Sequence, residues 1–162
     1  MSELTLFEAE GINQIDKENE VGSHNHSAIQ ANLAHLFKTL GSYSVFVELS
    51  LDVEKFDTSR NEIKPDVCIY PKRGLSRPYD ILKMDEMPLL AIEILSPRQA
   101  AIDILETFEV YFALGVQSCW LVDPTTEIVA VYTELATHQS YSQGDVIDDK
   151  LNIRLPLNEI FE

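Results

Sequence analysis

The run Leu89–Leu95 constrains the fold more than any other part of the sequence. Its letters, LLAIEIL, are apolar except for Glu93. A strand buried on both faces has this nearly continuous apolar pattern, whereas a strand with one wet face alternates. The next residues suit a helix start, with Ser96 as the cap and Pro97 at the first helical position. We therefore predict an interior strand of an α/β sheet, followed directly by a helix.

A second strand, predicted over Lys64–Tyr70 and opened by Pro65, carries Asp66 among apolar residues. By strand alternation Asp66 and Glu93 each depart from an apolar row. A carboxylate is rarely buried unless it is paired or binds a metal ion. On neighbouring strands the two could share a divalent cation such as Mg²⁺, which can polarise a phosphodiester and activate water. Salt bridges or exposed edge positions would explain both acids without a metal.

The region before these strands predicts a helix and a further strand. The helix is capped by Ser23 and ended by Gly41, and its apolar residues recur at the spacing of one face. These residues are Ile29, Leu33, Leu36, Phe37 and Leu40. Strict alternation over residues 45–53 then predicts a strand with Glu48 on its polar side. Glu48 is a candidate third metal ligand, and an ordinary surface glutamate explains it as well.

The C-terminal half predicts a helix, a hairpin and a closing segment. The helix covers Pro97–Leu114, ends at Gly115 and carries an apolar face of Ile104, Phe108, Tyr111 and Phe112. CWLVDP and EIVAVYT predict an antiparallel hairpin. The tail contains a predicted strand near Ser140–Tyr141, a GDVIDD turn and an end, LNIRLPLNEIFE, that closes the fold. Strands with helices at both flanks imply an α/β fold with a mixed β-sheet.

Length and charge bound the domain organisation. A chain of 162 residues is one domain in size. Residues 1–22 are acidic and weakly periodic, so we predict an N-terminal arm there and a single domain over 23–162. No run approaches the roughly 18 apolar residues of a membrane span, and the first residues lack a basic signal-peptide region. We expect a cytoplasmic protein.

The charge pattern limits contact with nucleic acid to one region. A net charge of −15 argues against affinity over the whole surface. Basic residues gather in the stretch 60–83, which includes Asp66 and could bind DNA phosphates; a solvated loop explains it equally well. They are Arg60, Lys64, Lys72, Arg73, Arg77 and Lys83. The chain could also form a homodimer.

The predicted helix Pro97–Leu114 offers further candidates. Asp103, Thr107 and Tyr111 are spaced four residues apart and share one face. This face follows the strand of Glu93 directly, so Asp103 or Tyr111 could orient a metal site. A surface aspartate and a core tyrosine are the alternative.

The remaining reactive side chains predict no other site. Cys68 and Cys119 lie in predicted strands and are expected to be small buried hydrophobes. His24, His26 and His35 have no partner ligand at metal spacing, so surface histidines are expected. The sequence contains neither a nucleophile elbow nor a phosphate-binding G-x-x-x-x-G-K-[ST] loop.

Taken together, the motifs PDVCIYP, LLAIEILSP, the helix with Asp103 and GVQSCWLVDPTTEIVAVY resemble the bacterial Uma-two family. The resemblance runs from about His26 to Tyr132. That family is classed with restriction endonucleases in the PD-(D/E)XK nuclease-like superfamily. It implies a restriction-endonuclease-like core, a site for Mg²⁺ or Mn²⁺ at Asp66 and Glu93, and DNA as substrate.

The sequence departs from this family at the position of a lysine. The superfamily lysine would stand at Leu95, and the family's usual lysine, on the following helix, would stand at Thr107. Arg98 could supply charge, but it lies at the start of the predicted helix. Losing one preorganised charged group typically costs about 10²–10³ in rate. The leading hypothesis is therefore a metal-dependent endonuclease of weak or lost activity; the alternative is a non-catalytic nuclease-like binding or assembly protein.

Overall fold

The structure, a computed structural model, describes residues 22–56 and 61–162. The predicted acidic arm lies outside the described residues except for Gly22. The helices are α1 (His24–Leu40), α2 (Ala101–Ala113) and α3 (Leu157–Ile160), with a 3₁₀ turn over Glu54–Phe56. The strands are β1 (Tyr43–Val47), β2 (Leu51–Asp52), β3 (Glu62–Ile63), β4 (Val67–Pro71), β5 (Leu90–Ile94), β6 (Ser118–Asp123), β7 (Ile128–Glu134), β8 (Thr137–Tyr141), β9 (Asp145–Asp148) and β10 (Ile153–Pro156).

The main sheet is mixed, with strand order β1-β4-β5-β6-β7-β8. Strand β5 pairs antiparallel with β4 and parallel with β6, and α2 connects the two parallel strands. Leu90, Ala91, Ile92 and Ile94 of β5 are all buried. The predicted interior strand and the α/β class with a mixed sheet are thus confirmed.

Two apolar layers cover the faces of this sheet. On one face, α1, α3 and the β9–β10 hairpin pack against alternate residues of β4–β7. On the other face, α2 and the β2–β3 pair pack against the intervening residues. Cys68 and Cys119 are buried there as free thiols, as predicted. In the two described ranges, no helix is both long and apolar enough to cross a membrane.

Helix α1 forms where the sequence predicts it. The Ser23 hydroxyl accepts a hydrogen bond from the His26 backbone N–H (3.4 Å), and Gly41 ends the helix with a φ of 78°. The predicted face is only partly right. Ile29, Leu33 and Phe37 are buried, but Leu40 is 40% exposed because the helix ends there and the chain turns toward β1.

The continuous strand predicted over residues 45–53 is wrong. Glu48 has a φ of 51°, in the left-handed region, and this conformation breaks the extended chain between β1 and β2. The two strands lie in different sheets. The Glu48 N–H instead donates to the Pro65 carbonyl oxygen at 3.1 Å.

The strand predicted over Lys64–Tyr70 begins only at Val67, as β4, and the short strand β3 lies before the predicted range. Pro65, which has no backbone N–H for a ladder, lies between β3 and β4. Asp66 therefore precedes β4 directly instead of lying inside the strand. This late start leaves Asp66 at the end of the sheet, where its side chain can reach other elements.

Two further boundaries differ from the prediction. Helix α2 begins at Ala101, not Pro97, because the Gln99 N–H donates to the Ser96 carbonyl oxygen (3.0 Å) in a separate turn. The GDVIDD segment contains strand β9, since Val146 and Asp148 alternate into the core and pair with β10. The predicted hairpin of β6 and β7 is confirmed.

The packing of α1 predicts a difference between two leucines. Leu33 is fully buried against the sheet, so Leu33→Ala should lower the free energy of unfolding by about 2–5 kcal/mol. Leu75 is 80% exposed, and Leu75→Ala should change the free energy of unfolding by no more than about 0.5 kcal/mol. Urea denaturation followed by circular dichroism measures both. Equal losses in the two variants would contradict this packing.

Candidate active site

The register between β4 and β5 brings Asp66 and Glu93 together. Val67 pairs with Ile92, and the antiparallel register continued by one residue sets Asp66 opposite Glu93. Opposed residues of an antiparallel pair have Cβ atoms about 4.5–5.5 Å apart. Glu93 shares the face of Ala91, which packs toward α2. The two predicted carboxylates therefore meet at one end of the sheet.

Three groups from two other segments hold Asp66. Its Oδ2 accepts a hydrogen bond from the Ile94 backbone N–H at 2.7 Å. Its Oδ1 lies 3.1 Å from His26 Nε2, and its backbone carbonyl accepts from Gln30 Nε2 at 2.8 Å. Strand β5 and helix α1 thus fix the carboxylate, so its direction does not depend on solvent.

His26 was predicted to be a surface histidine, and that prediction is wrong. Its side chain is buried and paired with Asp66. The hydrogen bond to Asp66 raises the pKa of His26, with a smaller contribution from the charge of Glu48, while burial opposes both. The spacing of His26, Ile29, Leu33 and Phe37 follows one helix face, so extending the apolar row backwards by one turn would have found it.

Glu93 is partly buried and bonded to α2. The Tyr111 hydroxyl donates to Glu93 Oε1 at 2.7 Å. Burial, and then the nearby charge of Asp66, raise the pKa of Glu93 well above its usual range, whereas the bond from Tyr111 opposes the rise. Burial and the Glu93 charge likewise raise the pKa of Tyr111, so the phenol stays a neutral donor. A negative charge on Glu93 is therefore costly here, and a cation would relieve that cost.

A cavity of about 350 Å³ opens beside these two carboxylates. It is lined by His26, Glu48, Lys64, Asp66, Glu93, Ile94, Ser96 and Gln99. The candidate ligands Asp66, Glu93 and Glu48 therefore share one cavity. The left-handed backbone of Glu48 turns this otherwise exposed residue to the rim of the cavity.

The predicted face of α2 divides between two environments. Tyr111 is buried and reaches Glu93. Asp103 is exposed in the first turn and is not among the residues that line the cavity. The Thr107 hydroxyl donates to the Asp103 carbonyl oxygen at 3.3 Å, within the helix. The structure thus brings Tyr111, but not Asp103, to the carboxylate pair.

Lys64 is a cavity residue that the sequence analysis did not single out as a site residue. Its Nζ lies 3.3 Å from Glu62 Oε1, and Glu62 in turn accepts from the Ser50 hydroxyl at 2.9 Å. At position 95, where the family resemblance would place a lysine, Leu95 is partly buried and packs against the α2-side core. The available signal was the spacing of Lys64 and Asp66, because residues two apart on an extended chain point the same way.

Some of the other basic residues in the stretch 60–83 contact groups within the protein, and others are exposed. Arg73 pairs with Glu86 and lies over the Tyr70 ring, 4.6 Å from its centroid. Lys72 and Arg77 are exposed, and Arg60 lies outside the described residues. A role of this stretch in DNA binding stays a prediction.

The donor chemistry of the cavity suits a hard divalent cation. Asp66, Glu93 and Glu48 all offer carboxylate oxygens, and Mg²⁺ is commonly held by one or two carboxylates together with waters. Among residues 22–56 and 61–162, no three His, Cys, Asp or Glu side chains form a group that could hold a metal ion. Within the cavity, Asp66 and Glu93 are the two carboxylates that the β4–β5 register sets opposite each other.

Comparison with known proteins agrees with this architecture. A family model described as "Uma2: Putative restriction endonuclease" matches residues 13–158. The chain belongs to the Uma2 family. The Uma2 match extends beyond the segment His26–Tyr132 on which the sequence resemblance depended. No curated protein matches the chain.

A solved structure shares the fold of this Uma2 protein. It is the crystal structure of "a putative nuclease belonging to DUF820" from Anabaena variabilis ATCC 29413. The two chains are 21% identical, with a TM-score of 0.68 over 86% of this chain and 82% of the other. This similarity confirms the nuclease-like fold.

The raised pKa of Glu93 predicts how stability depends on pH. Because the folded pKa lies above the ordinary value of 4.5, the folded state holds this proton more tightly, and stability falls as pH rises above that value. Each unit of pKa difference corresponds to about 1.4 kcal/mol. Glu93→Gln cannot ionise and keeps a carbonyl acceptor for Tyr111. It should be more stable than wild type at pH 7, with a smaller difference at pH 4.

Urea denaturation at both pH values measures this effect. Glu109→Gln is the matched control, because Glu109 is exposed on the same helix as Tyr111. Its difference from wild type should be nearly the same at pH 4 and pH 7. A Glu93→Gln protein that gains no stability relative to wild type between pH 4 and pH 7 would contradict the assignment.

Proposed function

We propose that this Uma2 protein is an endonuclease that hydrolyses phosphodiester bonds in DNA with Mg²⁺ or Mn²⁺. The observation that carries the proposal is the opposition of Asp66 and Glu93 across the β4–β5 register, beside a cavity that also contains Glu48. Membership of the Uma2 family supports the nuclease class. The carboxylate pair supports the metal dependence.

In this proposal Asp66 and Glu93 would hold the metal ion, while Glu48 lines the same cavity. When bound, the metal ion supplies Lewis-acid polarisation of the phosphate and lowers the pKa of a bound water. His26 and the Ile94 N–H orient Asp66. Tyr111 orients Glu93 and stabilises its charged form by donating a hydrogen bond.

The two thiols of the chain would not compete with water as the nucleophile. Ser96 and Gln99 line the cavity and can hydrogen-bond water or a phosphate oxygen. The thiols of Cys68 and Cys119 are buried, and burial raises the pKa of Cys119 well above its usual range. Neither thiol is therefore suited to nucleophilic attack, since the reactive species is the thiolate.

Cleavage should depend on both the metal ion and the carboxylate pair. Wild type should nick single- or double-stranded DNA with Mg²⁺ or Mn²⁺ and lose the activity in EDTA. Asp66→Asn and Glu93→Gln should each lower the rate by at least about 10²-fold, because each removes a carboxylate that would hold the metal ion at the reacting phosphate. Asp149→Asn, an exposed aspartate in the β9–β10 turn, should cleave like wild type. Gel assays on plasmid and oligonucleotide substrates measure these rates.

The contrasting function is a non-catalytic nuclease-like protein that binds or assembles with a partner. The absence of a lysine at Leu95 and Thr107 and the net charge of −15 favour it. If wild type is indistinguishable from Asp66→Asn in cleavage, the endonuclease proposal is wrong. Calorimetric titration with Mg²⁺ and Mn²⁺ then tests the site itself, because a site that has lost its function should bind neither metal ion.

A further inference from the structure

We propose that Lys64 contacts the scissile phosphate and supplies the positive charge of the active site. The inference rests on the proposed nuclease function. The positions where the family resemblance would place a lysine hold Leu95 and Thr107, so neither supplies a positive charge. Among the described residues that line the cavity, Lys64 is the one lysine or arginine. The other charged groups are three carboxylates and His26, which is already paired with Asp66.

The charge of the cavity favours such a group. Three of the lining residues, Asp66, Glu93 and Glu48, are acidic, and His26 is already paired with Asp66. The net charge of the chain, −15, would repel a phosphodiester at low salt. A lysine at the rim brings a positive charge where the phosphate would enter, and its ammonium can stabilise charge that develops on the phosphate oxygens.

The backbone fixes where Lys64 can reach. The residue before a proline is restricted to extended conformations, so Pro65 holds Lys64 extended. Lys64 and Asp66 lie two residues apart on either side of this proline, and both line the cavity. Lys64 is therefore brought to the cavity by the same Pro-Asp step that brings Asp66 there.

The present contacts of Lys64 leave it available to a ligand. Its side chain is 56% exposed, and its ion pair with Glu62 is on the surface, where such pairs contribute little to stability. The Ser50 hydroxyl bonds to the same Glu62 oxygen and keeps this carboxylate in place. Glu62 thus acts as a positioning residue that holds the ammonium near the rim until a phosphate replaces it.

The test compares Lys64→Met with Lys64→Arg. Lys150→Met is the matched control, since Lys150 is exposed in the β9–β10 turn outside the basic stretch. Arg98→Met tests a second basic residue, because Arg98 directly precedes the cavity residue Gln99 in the sequence. Cleavage is measured with Mg²⁺. Binding of a fluorescent DNA duplex is measured by anisotropy in Ca²⁺ across a salt series, with gels to verify that the DNA stays intact.

We expect Lys64→Met to lower the cleavage rate by about 10²–10³-fold and to reduce the slope of log affinity against log salt by about one. Lys64→Arg should restore the slope and part of the rate. Lys150→Met and Arg98→Met should match wild type. Unchanged thermal unfolding of Lys64→Met would show that the loss is not structural.

The outcomes separate this inference from the proposed function. If wild type cleaves, Asp66→Asn does not, and Lys64→Met equals Lys150→Met, the Lys64 assignment is overturned and the nuclease stands. The assignment is also overturned if Arg98→Met loses the rate instead, or if Lys64→Met changes the salt slope without changing the rate. If wild type does not cleave but Lys64→Met still lowers the slope, the nuclease proposal fails and the phosphate contact remains. If wild type neither cleaves nor binds the duplex, both are overturned.

Discussion

The antiparallel register of β4 on β5 is the constraint on which the candidate site depends. It sets Asp66 opposite Glu93 and brings the Ile94 N–H to Asp66. Because strand side chains alternate, a slip of one residue would move Glu93 from the α2 face to the α1 face. The apolar rows on both faces of β5 resist that slip, since both faces are buried. Core packing thereby fixes the distance between two carboxylates that contribute nothing apolar to the core.

The elements that the sequence predicts well are those with a strong local pattern. The apolar run of β5, the capped period of α1 and the hairpin of β6 and β7 all form near their predicted bounds. The errors lie where a single backbone feature overrides the pattern. The left-handed Glu48 breaks an alternation that looks continuous, and the strand predicted from Lys64 begins only after Pro65, at Val67. Neither break changes the hydrophobic period, so the period could not reveal them.

The sequence predicted the acidic residues of the candidate site, but it did not predict His26 or Lys64 as site residues. Asp66 and Glu93 stand out because they interrupt apolar strands, and their pairing needs only adjacent strands. His26 comes from a segment whose distance from the acids in space depends on tertiary packing, whereas Lys64 lies two residues from Asp66, and the fold shows that it lines the same cavity. His26 reaches Asp66 only because α1 lies across the sheet and Gln30 anchors it to the Asp66 carbonyl oxygen. A sequence shows an acidic residue within an apolar strand more readily than the basic residue that pairs with it in the fold.

The connections that build this site also bear on how the chain folds. The hydrogen bonds that hold Asp66 join residues 28 and 36 positions apart, and the bond from Tyr111 to Glu93 spans 18 positions. Contacts of this separation form slowly, because each must close a long loop before it contributes stability. Helix α1 and the β6–β7 hairpin can form from local contacts alone. A partly folded chain can therefore contain helix α1 and the β6–β7 hairpin while Asp66 and Glu93 are still apart, so the geometry of the site belongs to the completely folded molecule.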